Sequence, residues 1–202
     1  AAGTTATTSA AMPRIRNCAA AASRIFTVTE SRVRLLEIGR WFVIAAVVVA
    51  IDQWTKIEVQ QHLKYGDSIP VTSFFDLVLV FNPGAAFSFL SSASGWQREL
   101  FIGIALVASA FMATLIVRHR TNLVFSFALA MILGGAIGNV IDRWLLGAVV
   151  DFIHVHAGEH YWPAFNLADS AITLGAVLLV LESFLDHRAQ RAASALHSGD
   201  SR

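Results

Sequence analysis

Apolar residues are concentrated in four stretches of the chain, each near the length of about 20 residues that a helix needs to cross a bilayer. The second and third stretches contain no charged residue, whereas the first contains Asp52 and Lys56. The fourth has Asp169 near its start and Glu182 near its end. This pattern predicts four transmembrane helices and an all-α polytopic membrane protein. The stretches cover residues 41–57, 100–117, 121–141 and 166–185.

The connection between the first two stretches is too long to be a plain link. Residues 73–82 alternate in part between apolar and polar positions, are rich in Phe and Val, and are followed by a Pro-Gly pair. These features are typical of a strand that ends in a turn. We therefore expect a small extracytoplasmic β element between helices 1 and 2. The connection over residues 142–165 ends in Tyr161 and Trp162, which suit a membrane interface.

The distribution of positive charge predicts the orientation of the spans. If all four stretches cross the membrane, eleven Lys and Arg residues fall on the side that holds both termini, and four fall on the other side. Both termini are therefore expected in the cytoplasm. The composition agrees with a membrane protein, since 55% of residues are hydrophobic, 14% are charged and the mean hydropathy is +0.60. A net charge of +1 without a basic stripe argues against a nucleic-acid partner.

Three segments are expected from these patterns. Residues 1–30 are rich in Ala, Ser and Thr and are expected to form a disordered or artificial N-terminal extension. Residues 31–187 form the membrane domain, and residues 188–202 form a cytoplasmic tail. Cys18 is the only cysteine, so neither an intrachain disulfide nor a cysteine-based metal site is expected.

Two Asn-Asp pairs stand at the ends of the third and fourth spans. Asn139 precedes Asp142 by three residues, as Asn166 precedes Asp169, so each pair shares a helix face. Both aspartates would lie near the outer membrane boundary, where carboxylates are candidates for function. Two carboxyl groups in contact share one proton, which is the chemistry of aspartic proteases. Glycines 134, 135 and 138 would allow the close helix approach that such a pair requires.

The helix ends predict different roles for the two aspartates. Asp142 lies at a helix C-terminus, where the dipole disfavours negative charge, and Asp169 lies in a first turn, where negative charge is favoured. The hypothesis is therefore that the resting proton lies on Asp142 and the charge on Asp169. Arg143 would reverse this bias if its side chain faces the site.

Other interpretations compete with this one. The carboxylates of Asp52, Asp142 and Asp169 can simply solvate helix ends in a structural membrane protein, or they can form a proton or cation relay in a small transporter. Such a relay should have polar residues through the bilayer, which the second and third spans almost lack. A Ser88–Lys56 hydrolase lacks the usual flanking motifs. A zinc hydrolase lacks the His-Glu-x-x-His motif; its ligands would be His154, His156, Glu159 and His160.

Four blocks of the sequence resemble the signature motifs of the lipoprotein signal peptidase family, also called signal peptidase II. The resemblance covers roughly residues 38–187, and the blocks occur in the family's order. It implies a bacterial inner-membrane aspartyl endopeptidase that removes the signal peptide of prolipoproteins just before a cysteine bearing a diacylglyceryl group. The blocks are DQWTK at 52–56, FNPGAAFSFL at 81–90, GNVIDR at 138–143 and FNLADSAITLGA at 165–176.

The resemblance also implies site residues and partners. Asp142 and Asp169 match the catalytic pair, in a four-helix transmembrane protease domain with a β cradle on its outer surface. The expected partners are diacylglyceryl-modified prolipoproteins, membrane lipids and the inhibitor globomycin, and no metal or other cofactor is expected. Direct attack by an activated water is the expected mechanism. The matched substrate-binding or supporting residues are Asp52, Lys56, Asn82, Gly84, Asn139, Arg143, Asn166 and Ala168.

Overall fold

The computed structural model describes residues 12–84 and 96–199. Those residues form four helices and one four-stranded sheet, and they divide into two compact units, one that ends at Gly39 and one that begins at Arg40. The helices are α1 (Met12–His62), α2 (Gln97–Arg118), α3 (Leu123–Leu146) and α4 (Leu167–Gly199). The strands are β1 (Ser68–Pro70), β2 (Phe75–Asn82), β3 (Val149–Ala157) and β4 (His160–Tyr161).

Three of the described helices are long and apolar enough to cross a membrane. They are α2, α3 and the part of α4 from Leu167 to Arg188. The first predicted span, residues 41–57, is helical as part of α1, but α1 is not among these three. The prediction of a mostly helical membrane protein is therefore confirmed for three spans, and the fourth span stays a prediction.

Residues 12–30 of the expected N-terminal extension are the first part of α1. Residues 1–11 lie outside the described residues. Pro13 stands at the start of the helix, where its missing N–H costs nothing. Alanines 19–22 have the highest helix propensity, and no Gly or Pro interrupts the chain between Arg14 and Ile38. Residues 12–30 therefore favour a helix.

The sheet is antiparallel, with the strand order β1-β2-β3-β4. The predicted β element between α1 and α2 is confirmed by β1 and β2, but β3 and β4 come from residues 142–165, which were expected to be a connection. The β-branched residues of β3 explain this difference, because Val and Ile favour a strand. Asp151 of β3 pairs with Val80 of β2. Residues 85–90 of the second sequence block lie outside the described residues.

A small apolar cluster fixes the sheet to the end of α1. Val59 and Leu63 of α1 pack with Leu79 of β2 and with Val150 and Phe152 of β3, and all five are buried. The side chains on both sides of Asp151 are therefore held in the protein interior. A second cluster, around Trp41 and Leu133, joins α1, α2 and α3.

Glycines of α3 allow the close helix approach that the sequence predicted. A Cβ atom on Gly134 would lie 2.7 Å from Ala45 O of α1, and one on Gly138 would lie 2.6 Å from Asp52 Oδ2. A Cβ on Gly135 would collide with the carbonyl oxygen of Ala168 in α4. No side chain larger than hydrogen fits at these contacts, so α3 brings polar residues of α1 and α4 together.

Candidate active site

A cavity of about 850 Å³ lies between the sheet, the C-terminal end of α3 and the N-terminal part of α4. Its polar lining comes from all three elements, whereas one wall is apolar and includes Trp162, Leu174 and Val177. The cavity therefore has a polar end that can hold a peptide bond and an apolar side that can hold hydrocarbon. The polar lining includes Asn82, Asn139, Arg143, Asp151 and Asp169.

Asp169 is fixed in the first turn of α4 by two asparagines. Its backbone N–H donates to Asn166 Oδ1 at 2.9 Å, and its Oδ2 accepts from the backbone N–H of Asn166 at 3.3 Å. These reciprocal bonds form a cap at the start of the helix. Asn139 Nδ2 of α3 donates to the other carboxyl oxygen of Asp169 at 2.8 Å. The carboxyl is therefore oriented toward the cavity by neutral donors alone.

Asp151 reaches the cavity from β3, between Val150 and Phe152. Asn166 Nδ2 donates to one of its carboxyl oxygens at 2.7 Å, and Asn82 Nδ2 donates to the other at 3.1 Å. Burial, followed by the negative charge of Asp169, raises the pKa of Asp151 to about 7, although the two asparagine bonds and Lys56 oppose this shift. Asn166 thus contacts both Asp151 and Asp169, and these two residues form the carboxyl pair of the cavity.

Asp142 lies behind the cavity wall and is not one of its lining residues. Its carboxyl accepts from Lys56 Nζ at 2.7 Å, from Gln53 Nε2 at 2.8 Å and from the backbone N–H of Val150 at 3.1 Å. Lys56 also lies 2.8 Å from Asp52. The ammonium group of Lys56 therefore bridges two carboxyl groups.

The structure therefore changes the interpretation of the sequence pattern. Asp142 and Asp169 lie on adjacent helices, as expected, but the carboxyl beside Asp169 in the cavity is that of Asp151. The hypothesis that the resting proton lies on Asp142 stays a prediction, and the structure adds that Lys56 contacts that carboxyl. Sequence reasoning gave Asp151 no role. The sequence feature that could have identified Asp151 is its position within the apolar run VVDFI, where an acidic residue is expected only if it is paired or functional.

The supporting residues divide between the cavity and the region behind it. Arg143 Nη2 donates to the carbonyl of Gly84 at 3.0 Å, and its guanidinium stacks on Phe101. The backbone N–H of Gly84 donates to Asn82 Oδ1 at 3.0 Å. Ala168 contributes its backbone N–H, which donates to Asp52 Oδ1 at 2.8 Å. Asp52 and Lys56 lie with Asp142, whereas Asn82, Asn139 and Arg143 reach the cavity.

Two alternative hydrolytic sites were considered from the sequence, a zinc site and a Ser88–Lys56 site. His154 and His156 lie 3.8 Å and 3.4 Å from Asp76 on the sheet, but no three metal-binding side chains within the described ranges are grouped to hold an ion. Lys56 is held between two carboxylates, which is unsuitable for a general base. Ser88 lies outside the described residues.

Comparisons with known proteins agree on one family. Residues 44–185 match the family model described as signal peptidase (SPase) II. The lipoprotein signal peptidase of Azoarcus sp. (strain BH72) is 58% identical over 140 residues, which are 69% of this chain and 80% of the relative. That of Janthinobacterium sp. (strain Marseille) is 56% identical over 142 residues, 70% of this chain and 86% of the relative.

A solved structure described as a bacterial membrane enzyme has the same fold. It is 33% identical to this chain with a TM-score of 0.67, and the match covers 74% of this chain and 90% of that one. A second structure with the same description is 34% identical with a TM-score of 0.63, covering 71% of this chain and 92% of that one.

Proposed function

This chain belongs to the signal peptidase II family, whose members are membrane proteases that process lipoproteins, and from that premise we propose that it is an aspartic endopeptidase. Its substrates are prolipoproteins that already bear a diacylglyceryl group, and it cuts just before the lipid-bearing cysteine. The observation that carries the proposal is the pair of carboxyls, Asp151 and Asp169, that faces one cavity with a polar end and an apolar wall.

The pair supplies the acid and the base of the reaction. Asp169 as carboxylate takes a proton from water while the water oxygen attacks the scissile carbonyl carbon. Asp151, neutral because its pKa is raised to about 7, gives its proton to the carbonyl oxygen. When the tetrahedral intermediate collapses, the C–N bond breaks, Asp169 protonates the leaving amine and Asp151 recovers its proton. No acyl-enzyme forms, and no metal is required.

The apolar wall of the cavity suits a substrate that stays anchored in lipid. Leu174 and Val177 line the cavity, and each is about half exposed on the surface of α4. A diacylglyceryl chain can therefore lie along α4 while the adjoining peptide bond reaches the carboxyl pair. Membrane lipids surround the same surface, and the inhibitor globomycin, a cyclic peptide, would occupy the cavity in place of the substrate.

The proposed orientation puts the cavity toward the periplasmic face of the bacterial inner membrane. The carboxyl pair lies at the end of α3 opposite to the turn that carries Arg118 and Arg120. Because positive loops stay in the cytoplasm, that turn and both termini are cytoplasmic. Residues 41–57 of α1 then form the fourth span, and the sheet forms the cradle on the outer surface.

The test uses the purified full chain in lipid vesicles with a diacylglyceryl-modified prolipoprotein. We expect cleavage before the modified cysteine, no cleavage of the unmodified precursor, and no cleavage by Asp169→Asn. A chelator should leave the rate unchanged, and globomycin should abolish cleavage. Equal cleavage of both precursors would contradict the proposed substrate, and loss of activity with the chelator alone would contradict the metal-free mechanism.

A further inference from the structure

Three charged side chains are buried together behind the wall of the cavity. Lys56 is 1% exposed, Asp52 is 0% exposed and Asp142 is 3% exposed. Lys56 Nζ lies 2.8 Å from Asp52 Oδ2 and 2.7 Å from Asp142 Oδ2. The mechanism proposed above uses none of these groups directly, so the burial of three charged side chains in an apolar interior requires another explanation.

Each of the two carboxylates also holds one peptide group. Asp142 Oδ2 accepts from the N–H of Val150 at 3.1 Å, and Asp52 Oδ1 accepts from the N–H of Ala168 at 2.8 Å. Val150 directly precedes Asp151, and Ala168 directly precedes Asp169. The two carboxylates behind the wall therefore hold the main chain one residue before each carboxyl of the cavity pair.

Lys56 adds a third connection to the cavity. Its ammonium donates to Asn139 Oδ1 at 3.0 Å, and Asn139 Nδ2 donates to Asp169 Oδ1 at 2.8 Å. Because Lys56 has only donors, it fixes which end of the Asn139 amide faces Asp169. The ammonium group thus joins the two carboxylates and orients the amide between itself and the cavity.

We propose that Asp52, Lys56 and Asp142 are positioning residues that together form a brace fixing the separation of Asp151 and Asp169. This inference rests on the proposed function, because the separation matters only if the cavity pair carries out the reaction. The two carboxylates of the brace bind peptide groups, and Lys56 acts on Asp169 only through the neutral amide of Asn139. The brace therefore sets the position of each cavity carboxyl without exchanging a proton with it. Displacing a reacting group by about 1 Å can lower a rate about 100-fold.

A pair of substitutions separates positioning from catalysis. Asp142→Asn keeps an oxygen that can accept from Val150, and Gln53 can turn its amide to accept from the new NH₂ group. Asp142→Ala has no acceptor. We expect kcat to fall about 10-fold in the Asn variant and about 100-fold in the Ala variant, with KM unchanged in both. For a catalytic aspartate, the Asn variant should be as inactive as the Ala variant, since neither transfers a proton.

Hydrogen exchange at single amides gives a readout that does not depend on activity. In wild type the N–H groups of Val150 and Ala168 should exchange slowly. Asp142→Ala should speed exchange at Val150, and Asp52→Ala should speed exchange at Ala168, each more than the matching Asn variant does. If wild type fails to cut the lipidated precursor, the proposed function fails, while the exchange rates still decide whether the brace exists.

The control is Glu182→Gln, which makes the same carboxylate-to-amide change where α4 contacts Asn122, away from the cavity. Its kcat and exchange rates should equal those of wild type. The brace is overturned if Asp142→Asn is as inactive as Asp151→Asn at every pH, or if Asp142→Ala keeps the wild-type kcat and exchange rate. If the Asp142 variants do not fold, the same comparison of Asn with Ala at Asp52 decides the question.

Discussion

Two pairs of aspartates lie within one small region of the molecule, and the two pairs differ in the groups that bind their carboxyls. Asp151 in the cavity pair is 2% exposed and Asp142 in the brace is 3% exposed. Asp151 and Asp169 accept hydrogen bonds from asparagine side chains and one backbone N–H, all neutral. Asp52 and Asp142 share the ammonium of Lys56.

The difference shows how one residue type can serve two purposes at the same depth. Neutral donors hold a carboxyl in place without fixing its charge, so it can exchange a proton during the reaction. An ammonium in direct contact holds the carboxylate in an ion pair, in which the two charged groups fix each other's position. Removing one partner of such a buried ion pair costs about 3–5 kcal/mol of stability. The first pair is therefore suited to chemistry and the second to structure.

The largest effect is expected from removing either cavity carboxyl. Asp151→Asn and Asp169→Asn should each lower kcat by about 10⁴-fold, because an amide cannot act as acid or base. Single-turnover cleavage of the lipidated precursor measures this loss. The competing prediction from the sequence, that Asp142 is the partner of Asp169, requires Asp142→Asn to be equally inactive and Asp151→Asn to keep much of its activity.

The next effect is a loss of activity at high pH. Because the pKa of Asp151 is raised to about 7, this carboxyl holds its proton below that pH and loses it above. Above this pH, Asp151 has no proton to give to the scissile carbonyl, so the rate should fall about tenfold for each further pH unit. A profile of kcat against pH in vesicles checks this. A rate that stays constant from pH about 6 to about 9 would contradict the role of Asp151 as the acid.

Packing between α3 and α4 predicts a smaller effect on stability. A Cβ atom on Gly175 would lie 2.5 Å from Ala128 O and 2.6 Å from Ile132 Cγ1. Gly175→Ala should therefore destabilise the fold by about 1–3 kcal/mol, seen as a lower midpoint of thermal unfolding in detergent. Gly103→Ala is the matched control, because no heavy atom lies within 4 Å of its Cβ position. Equal midpoints for the two variants would contradict the close helix contact.

The smallest effect on activity is expected from replacing Asn82, the β2 residue whose side chain donates to Asp151. The hydrogen bond from Asn82 lowers the pKa of Asp151 by stabilising its charged form. Asn82→Ala should therefore move the high-pH limb of the rate profile further toward alkaline pH while most of the activity at pH 6 remains. A shift toward acid pH would show that Asn82 acts on another group.

Local sequence patterns were sufficient to predict the helices. They were insufficient to predict which aspartate lies beside Asp169. The uncharged apolar stretches predicted α2 and α3 within a few residues, because hydrophobic length is a property of the sequence itself. The i, i+3 spacing correctly placed Asn166 beside Asp169, whereas the side chain of Asn139 bonds to Asp169 of the next helix. Asp142 satisfied the same spacing, but its environment is decided by Lys56, which is 86 residues earlier in the chain.

Asp151 was missed because its role depends on strand pairing. Its connection was expected to be a loop, although Val149, Val150 and Ile153 favour a strand. Only the pairing of β3 with β2 brings Asn82 to Asp151, across 69 residues. The alanine-rich first part of α1 has helix propensity without the apolar face that sequence patterns detect.

The location of the shared proton is the most direct test of the account. The C=O stretching band of a protonated carboxyl can be followed by infrared spectroscopy as the pH is raised, in wild type, Asp151→Asn and Asp142→Asn. We expect wild type and Asp142→Asn to show a band that disappears near pH 7, in line with the pKa of Asp151, and Asp151→Asn to lack it. A band that persists in Asp151→Asn and is absent from Asp142→Asn would assign the proton to Asp142 and contradict the role of Asp151 as the acid.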